Sequence, residues 1–352
     1  MIRRTTLVLA VVVCTILLLP GVAAACGGLV GQDGTIQLLR TTTLAAYSDG
    51  IERYVTAFEF TGEGESLGSI TPLPDVPTSV ERGGDWTLQR LAQEVEPPRP
   101  QRLAAGAETA VEDAAGVEVL LETEIDALDI TVLRGGGDEV GRWALDNGFF
   151  LPPDAPEMLD FYAERSPVFM AAKFDTQRAA ELGQGAGDST PIMATIPTGR
   201  PWVPLRILGL GLEDGRRVEA DVFLLTDERP ELLAGGPGVT VARSEAASRP
   251  LLADLRSDVG MEWVPDEMWL SYLQVDVTAA ALDYDLAAAV GPDAEPALVD
   301  AGIGPAAAVP LRLATTPGAW PWILGALVGL VTFAALGLLH RSRHTIGSTA
   351  TP

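Results

Sequence analysis

The sequence predicts an α+β protein: an antiparallel-strand-rich exported domain with two or three short helices, followed by one C-terminal transmembrane helix. Three observations carry this. Apolar residues alternate in short runs separated by turn signals over most of the chain, which is the pattern of half-buried strands. Helical spacing is confined to a few brief stretches. The last apolar run, Ala319 to Leu339, is long enough to cross the hydrocarbon of a bilayer.

The first 25 residues read as an export signal. Arg3 and Arg4 lead into an uncharged run from Leu7 to Leu19, then Pro20-Gly21 and Ala23-Ala24-Ala25 before Cys26. That run is too short to span a membrane, so general secretion with cleavage is expected rather than a retained anchor. At the other end no ionised side chain falls between Arg312 and Arg341. Trp320 and Trp322 open the apolar run like an interfacial belt, and Arg341 and Arg343 follow it as a cytoplasmic flank. A buried core helix of this length would show a polar face, and this one has none. The expected organisation is a signal at 1–25, an exported domain at 26–286, an Ala/Pro-rich stalk at 287–318, a span at 319–339 and a cytoplasmic tail at 340–352. The chain is thus expected in the cell membrane, single-pass, with the domain outside.

Composition narrows the function classes. The 352 residues carry 48 acids against 24 Lys plus Arg, a formal charge of -24. Export and anchoring remove four of those bases and none of the acids, so the exported domain is more acidic still. A surface of that sign repels phosphate backbones, and nucleic acid is not an expected partner. Both histidines, His340 and His344, lie beyond the span. Serine–histidine triads, cysteine–histidine dyads and histidine-ligated zinc are therefore excluded from the exported domain. Neither a cofactor nor a metal is expected. With 47% hydrophobic residues the chain has ample material for a core.

In chain order, Thr35 to Pro74 reads as strands, with a hairpin turned at Asp49-Gly50 and large apolar residues alternating at Tyr54, Phe58 and Phe60. Thr71-Pro72-Leu73-Pro74 should end that ladder, because proline donates no hydrogen bond. Trp86, Leu88 and Leu91 mark a short helix, and 96–116 reads as a mobile linker. Val117 to Val132 brackets strands with acids on their other face. Asp138 to Asn147 has helical spacing with Gly148 suited to its C-terminal cap, and a second helix starts near Asp154 with Pro156 in its first turn. Strands follow at Val168–Phe174, Pro191–Ile196, Val203–Leu210 and Val218–Thr226, the last two joined by a hairpin at Glu213-Asp214-Gly215. The stretch 231–262, carrying Gly235-Gly236-Pro237-Gly238, reads as loop-rich, and Met268–Val277 as strand.

Three segments carry a resemblance. Ile125 to Asp175, reading IDALDITVLRGGGDEVGRWALDNGFFLPPDAPEMLDFYAERSPVFMAAKFD, then PWVPLRILGLG at 201–211 and ADVFLLTDERP at 220–230, are similar to bacterial secreted proteins grouped as domain of unknown function 2330. The opening Cys26-Gly27-Gly28 and the Thr71-Pro72-Leu73-Pro74 segment resemble that family as well. The resemblance implies a bacterial envelope or secreted protein and brings no reaction or site residues with it.

Candidate chemistry is sparse. Cys26 is the only cysteine left after signal removal, Cys14 lying inside the signal. It is either a lipid-modified first residue or a free or buried thiol, and a mature chain starting there without acyl groups is expected because the usual leucine three places before is absent. Paired carboxylates could do acid and base work without histidine. Asp126 with Asp129, Glu213 with Asp214, Asp254 with Asp258 and Asp283 with Asp285 are candidates, but among so many acids such pairs arise by chance. Gly135-Gly136-Gly137 before a helix could offer N–H groups to an anion; without the lysine and spacing of a phosphate loop it reads as a strand-to-helix turn. Trp143, Phe149, Phe150, Phe161, Tyr162 and Phe169 read chiefly as core. Gly325 and Gly329 form a small-xxx-small pair able to pack two membrane helices into a weak homodimer. The function expected is a membrane-anchored, non-catalytic binding or structural module of the cell envelope with an envelope protein as partner. The alternative is a carboxylate-dependent hydrolase acting on extracellular glycans.

Overall fold

The computed structural model describes residues 28–31, 37–61, 67–95, 117–183, 190–234, 236–302 and 309–310. Along these the chain forms β1 (Gly28–Gly31), β2 (Gln37–Ser48), β3 (Ile51–Thr61), β4 (Leu67–Leu73), β5 (Ser79–Arg82), α1 (Thr87–Val95), β6 (Glu118–Ile125) and β7 (Leu128–Arg134). Next come α2 (Gly137–Asp146), α3 (Ala155–Ala163), β8 (Val168–Phe174), α4 (Thr176–Glu181), β9 (Ile192–Pro197), β10 (Trp202–Val203) and β11 (Arg217–Thr226). The rest are β12 (Glu231–Ala234), β13 (Val239–Ala246), α5 (Arg249–Arg256), β14 (Trp269–Thr278), β15 (Leu286–Ala289) and β16 (Val309–Pro310).

The strands make three sheets. The largest has seven in the order β13-β14-β11-β2-β3-β9-β5, the second five in the order β1-β4-β8-β7-β6, and the third four in the order β10-β15-β12-β16. Neighbours pair antiparallel except β11 and β2, which run parallel from Asp221↔Thr42 to Thr226↔Tyr47. The β2–β3 hairpin turns on Asp49 (φ 53°) and Gly50 (φ 75°), with Ser48 opposite Ile51. Positive φ at both central residues is what a tight hairpin requires, and the Asp-Gly pair supplies it at low cost.

Alternation along the seven-stranded sheet divides its side chains between two cores. Leu44, Val55, Met193, Phe223 and Leu225 face one way and are covered by Leu88 and Leu91 of α1 and by Leu251, Leu252 and Leu255 of α5. Ala45, Tyr54, Ala194, Val222 and Leu273 face the other way into a larger core shared with the five-stranded sheet, α2 and α3.

The α+β class and its antiparallel bias match the sequence, but five α-helices stand among the described residues instead of two or three. The additions are α4 and α5. The latter lies in the stretch expected to be loop, as do β12 and β13, so that 231–262 is largely regular structure. Its start carried a readable signal: Ser248 caps the helix by accepting from the Leu251 N–H at 3.3 Å, with Pro250 in the first turn.

Other boundaries also move. Pro72 does not stop the ladder, since β4 runs through it to Leu73 opposite Val168 of β8. β1 covers β4 only as far as Ile70, so Pro72 lies on an edge where a missing N–H is tolerated. Val203–Leu210 is not a strand. Pairing ends at Val203, a 3₁₀ turn occupies Arg206–Gly209, and Glu213-Asp214-Gly215 consequently joins no hairpin. The reason is that the Leu205 and Arg206 N–H groups donate to the Asp285 carboxylate and the Ile207 N–H to the Tyr162 hydroxyl, leaving none of the three for a ladder. The chain from 287 to 302, expected as stalk, is built into the fold: Ala287 pairs with Trp202 and Leu233, and Ala301 is fully buried.

Among the described residues no helix is long and apolar enough to cross a membrane. The signal at 1–25, Cys26, the linker 96–116, the span 319–339 with Gly325 and Gly329, and the tail lie outside the described residues.

Candidate functional site

Several of the sequence-level acids are held by arginines. Asp126 accepts from Arg82 at 2.8 Å and Thr190 at 2.7 Å, Asp129 pairs with Arg178, and Asp254 accepts from Arg90 at 2.8 Å. Asp285 is sealed inside. Gly137 has a packing reason, because a Cβ there would meet the Asp160 backbone nitrogen of α3 at 2.6 Å. The free N–H of Gly136 is taken by the Glu139 carboxylate at 3.0 Å, so the helix start already holds its anion. Of the aromatic set, Trp143, Phe149, Tyr162 and Phe169 are buried and Phe150 is exposed. Among the described residues no group of three or more acids, cysteines or histidines is placed to hold a metal ion.

Three buried carboxylates stand out instead. Asp285 immediately precedes β15 and is 0% exposed. Its Oδ2 accepts from Arg165 at 2.6 Å, and its Oδ1 accepts from the Tyr162 hydroxyl at 2.9 Å, the Leu205 N–H at 2.7 Å and the Arg206 N–H at 2.9 Å. Arg165, just beyond α3 with 8% of its side chain exposed, lies over the rings of Phe161 at 4.0 Å, Tyr162 at 4.9 Å and Trp202 at 5.1 Å. Tyr162 and Trp202 are themselves stacked, with centroids 5.8 Å apart. Burial pushes the Asp285 carboxyl up, opposed chiefly by Arg165, and burial beside Asp285 pushes the Tyr162 phenol well up. A second ion pair, Arg200 with Asp300 at 3.1 Å, fastens the same C-terminal stretch. The knot joins α3, the 3₁₀ turn and β15, elements distant in sequence. Its carboxylate has every donor it can use.

Asp258 follows α5, is 2% exposed, and accepts from the N–H groups of Asp85, Trp86 and Val259 and from the Thr87 hydroxyl at 2.8 Å. It serves as the N-terminal anchor of α1 from across the domain. Burial works to raise its carboxyl, but these hydrogen bonds outweigh it and hold the group below the usual range. Asp258→Ala strands three backbone donors and is expected to cost about 3 kcal/mol at pH 7, read by urea unfolding. With the folded value depressed, the stability Asp258 supplies is present above the unfolded value near 3.8 and is lost as pH falls through the folded one. The deficit of the variant should therefore shrink under acid. A deficit unchanged down to acid pH would contradict the assignment.

Glu52 on β3 is the odd member. It is 0% exposed, and among the described residues the one donor directed at its carboxyl is the Trp202 backbone N–H, which falls short of full hydrogen-bond geometry. Its cross-strand neighbours are Tyr47 of β2 and Ile196 of β9. Burial pushes its carboxyl up to about 8, and the backbone of Trp202 offsets this only in part. The sequence holds a signal for it. Glu52 shares the parity of Tyr54 and Phe58, so the alternation that defines the strand turns this acid inward. No comparable signal reveals Arg165 and Asp285, which are 120 residues apart.

A sheet-rich α+β domain whose interior charges serve to tie strands, turns and helices together is the class that the fold and these groups define. The chain belongs to the bacterial family described as uncharacterized protein conserved in bacteria (DUF2330), whose model matches residues 20–254. A comparison with curated proteins finds no match. Among solved structures, baculovirus P35 is similar at a TM-score of 0.41 and 11% identity, over 73% of this chain and 98% of that one. A mutated baculovirus P35 after caspase cleavage scores 0.36 at 8% identity, over 72% of this chain and 100% of that one. The caspase-8/P35 complex scores 0.35 at 8% identity, over 72% and 96%. At such scores the likeness supports no functional inference.

Proposed function

We propose that this protein is a non-catalytic extracytoplasmic module of the bacterial cell envelope, held at the membrane by the span 319–339, that presents its acidic domain to an envelope partner. The observation that carries the reading is the use made of its buried ionisable groups. Asp285 and Asp258 are saturated by the domain's own donors, and Glu52 is 0% exposed. A carboxyl that acts on a substrate has to reach it. Hydrolysis of glycosidic bonds needs two facing carboxyls with a sugar between them, whereas Asp126, Asp129 and Asp254 are each held by an arginine. An envelope partner with a basic surface suits the excess of acids.

Protease added to spheroplasts is expected to digest the domain while a C-terminal tag stays protected. Crosslinking and pull-down of the full chain from its own envelope is expected to recover a partner, and incubation with a glycan library to give no turnover. Glycan cleavage with no partner recovered would overturn the proposal.

A further inference from the structure

We propose that Arg53, backed by Trp263, is a binding site for a carboxylate brought by another molecule. The observation that carries it is a half-buried arginine without an acceptor. Among the described residues the other half-buried arginines each have one: Arg82, Arg90, Arg165, Arg178, Arg206 and Arg256 reach a carboxylate, and Arg243 donates to the Glu94 carbonyl. The Arg53 guanidinium has neither, and lies over the ring of Trp263 at 4.5 Å. In a chain with 48 acids against 24 Lys plus Arg, an internal partner would be easy to supply.

Stacking on the indole fixes the plane of the guanidinium and leaves its donor edge open, the arrangement that takes a carboxylate through two parallel N–H bonds. The Trp263 Nε1 is screened from water and also lacks an acceptor. In register with Arg53 stand Ala46 of β2 and Thr195 of β9, so neither neighbouring strand offers an anion. Asp49 acts on Arg53 through space and forms no ion pair with it, while burial works against the charge. Arginine keeps its proton inside proteins, so the cation persists with its donors unmet. That is a cost which an incoming carboxylate removes. The excess of acids over the chain disfavours a polyanion, so the ligand is expected to carry a single carboxylate, as a small free acid or the C-terminus of a peptide. The site takes the charge opposite to that of a basic envelope partner, and the inference does not depend on the proposed envelope role.

The test uses the purified full-length chain with isotope-labelled tryptophan, the indole N–H signal of Trp263 being assigned through Trp263→Phe. Phenylacetate stands for a free acid and N-acetylphenylalanine for a peptide terminus, with the amide of each as uncharged control. At least one acid is expected to shift the Trp263 signal saturably, with a Kd of about 1 mM, and its amide to leave the signal in place. The acid that binds more tightly identifies the source. Arg53→Gln is expected to weaken binding about tenfold or more, and Arg53→Lys, which keeps the charge but not the paired donors, by less. No saturable shift with either acid up to about 10 mM, an equal response to the amides, or an affinity unchanged in Arg53→Gln would each overturn the site. Should Arg53→Gln fail to fold, Arg53→Lys and the amide controls on the wild type decide.

Discussion

Replacing Arg165 with methionine is expected to lower the unfolding free energy by about 3 to 5 kcal/mol at pH 7, because it leaves Asp285 charged, buried and without its cation. The aliphatic replacement keeps much of the side-chain volume, so the loss reports on charge more than on a cavity. Contacts of the guanidinium with Phe161, Tyr162 and Trp202 go with it, adding about 1 kcal/mol. The Asp285 carboxyl, already raised by burial, should rise further once Arg165 is gone. A raised folded value means stability is lost as pH climbs from the unfolded value through the folded one, and because the wild-type carboxyl is already raised, the deficit should widen as pH climbs past the wild-type folded value. Adding Asp285→Asn to Arg165→Met should recover part of the loss, since a carboxamide oxygen still accepts from Tyr162, Leu205 and Arg206. Urea unfolding of the full-length protein measures all three variants. A loss below about 1 kcal/mol for the single change would place the pair among weak surface bridges and refute the assignment.

Glu52→Gln is expected to do the opposite. In the wild type, Glu52 binds its proton up to about pH 8 when folded and only to about 4.5 when unfolded. Between those values the unfolded chain holds fewer protons than the folded one, so stability falls as pH rises, by about 1.4 kcal/mol per unit. Over the whole window the loss is of order 5 kcal/mol, a ceiling that any opening of the site reduces. Glutamine does not titrate. Its amide donors are no better satisfied than the acid, at a cost of about 1 to 3 kcal/mol, so near pH 5 the variant gains nothing. The decisive quantity is the difference between variant and wild type, which should grow in favour of glutamine by several kcal/mol from pH 5 to pH 8. Parallel pH profiles would show that Glu52 ionises in the fold as it does in water.

The sequence conveyed local order well and distant pairing poorly. Asp49-Gly50, the run Val168–Phe174 and the two helices around Trp143 and Met158 were legible because each depends on its own few residues. Val203–Leu210 misled because its apolar run is consistent with a strand, while its backbone donors are claimed by Asp285 and Tyr162 from far along the chain. The stretch from Ala287 misled for the converse reason. Alanine and proline look like spacer, yet Ala287 and Ala301 are small because they are enclosed. Of the candidate site, Glu52 is marked by strand parity, whereas the sequence around Asp285 offers only its neighbour Asp283. Its partner Arg165 sits in a polar-looking helix end, and nothing local marks a buried cation there.

The parallel junction of β11 with β2 governs the order in which the domain can be completed. The β2–β3 hairpin needs only neighbouring residues, whereas the other edge of β2 meets its strand only once the chain reaches Asp221–Thr226. A chain threaded through a membrane from its N-terminus would hold that edge open through most of its passage, exposing main-chain groups to any other strand at hand. Long-range closure of this kind slows folding. Delivered in that way, residues 42–47 would keep their unpaired main-chain groups until Asp221–Thr226 follow.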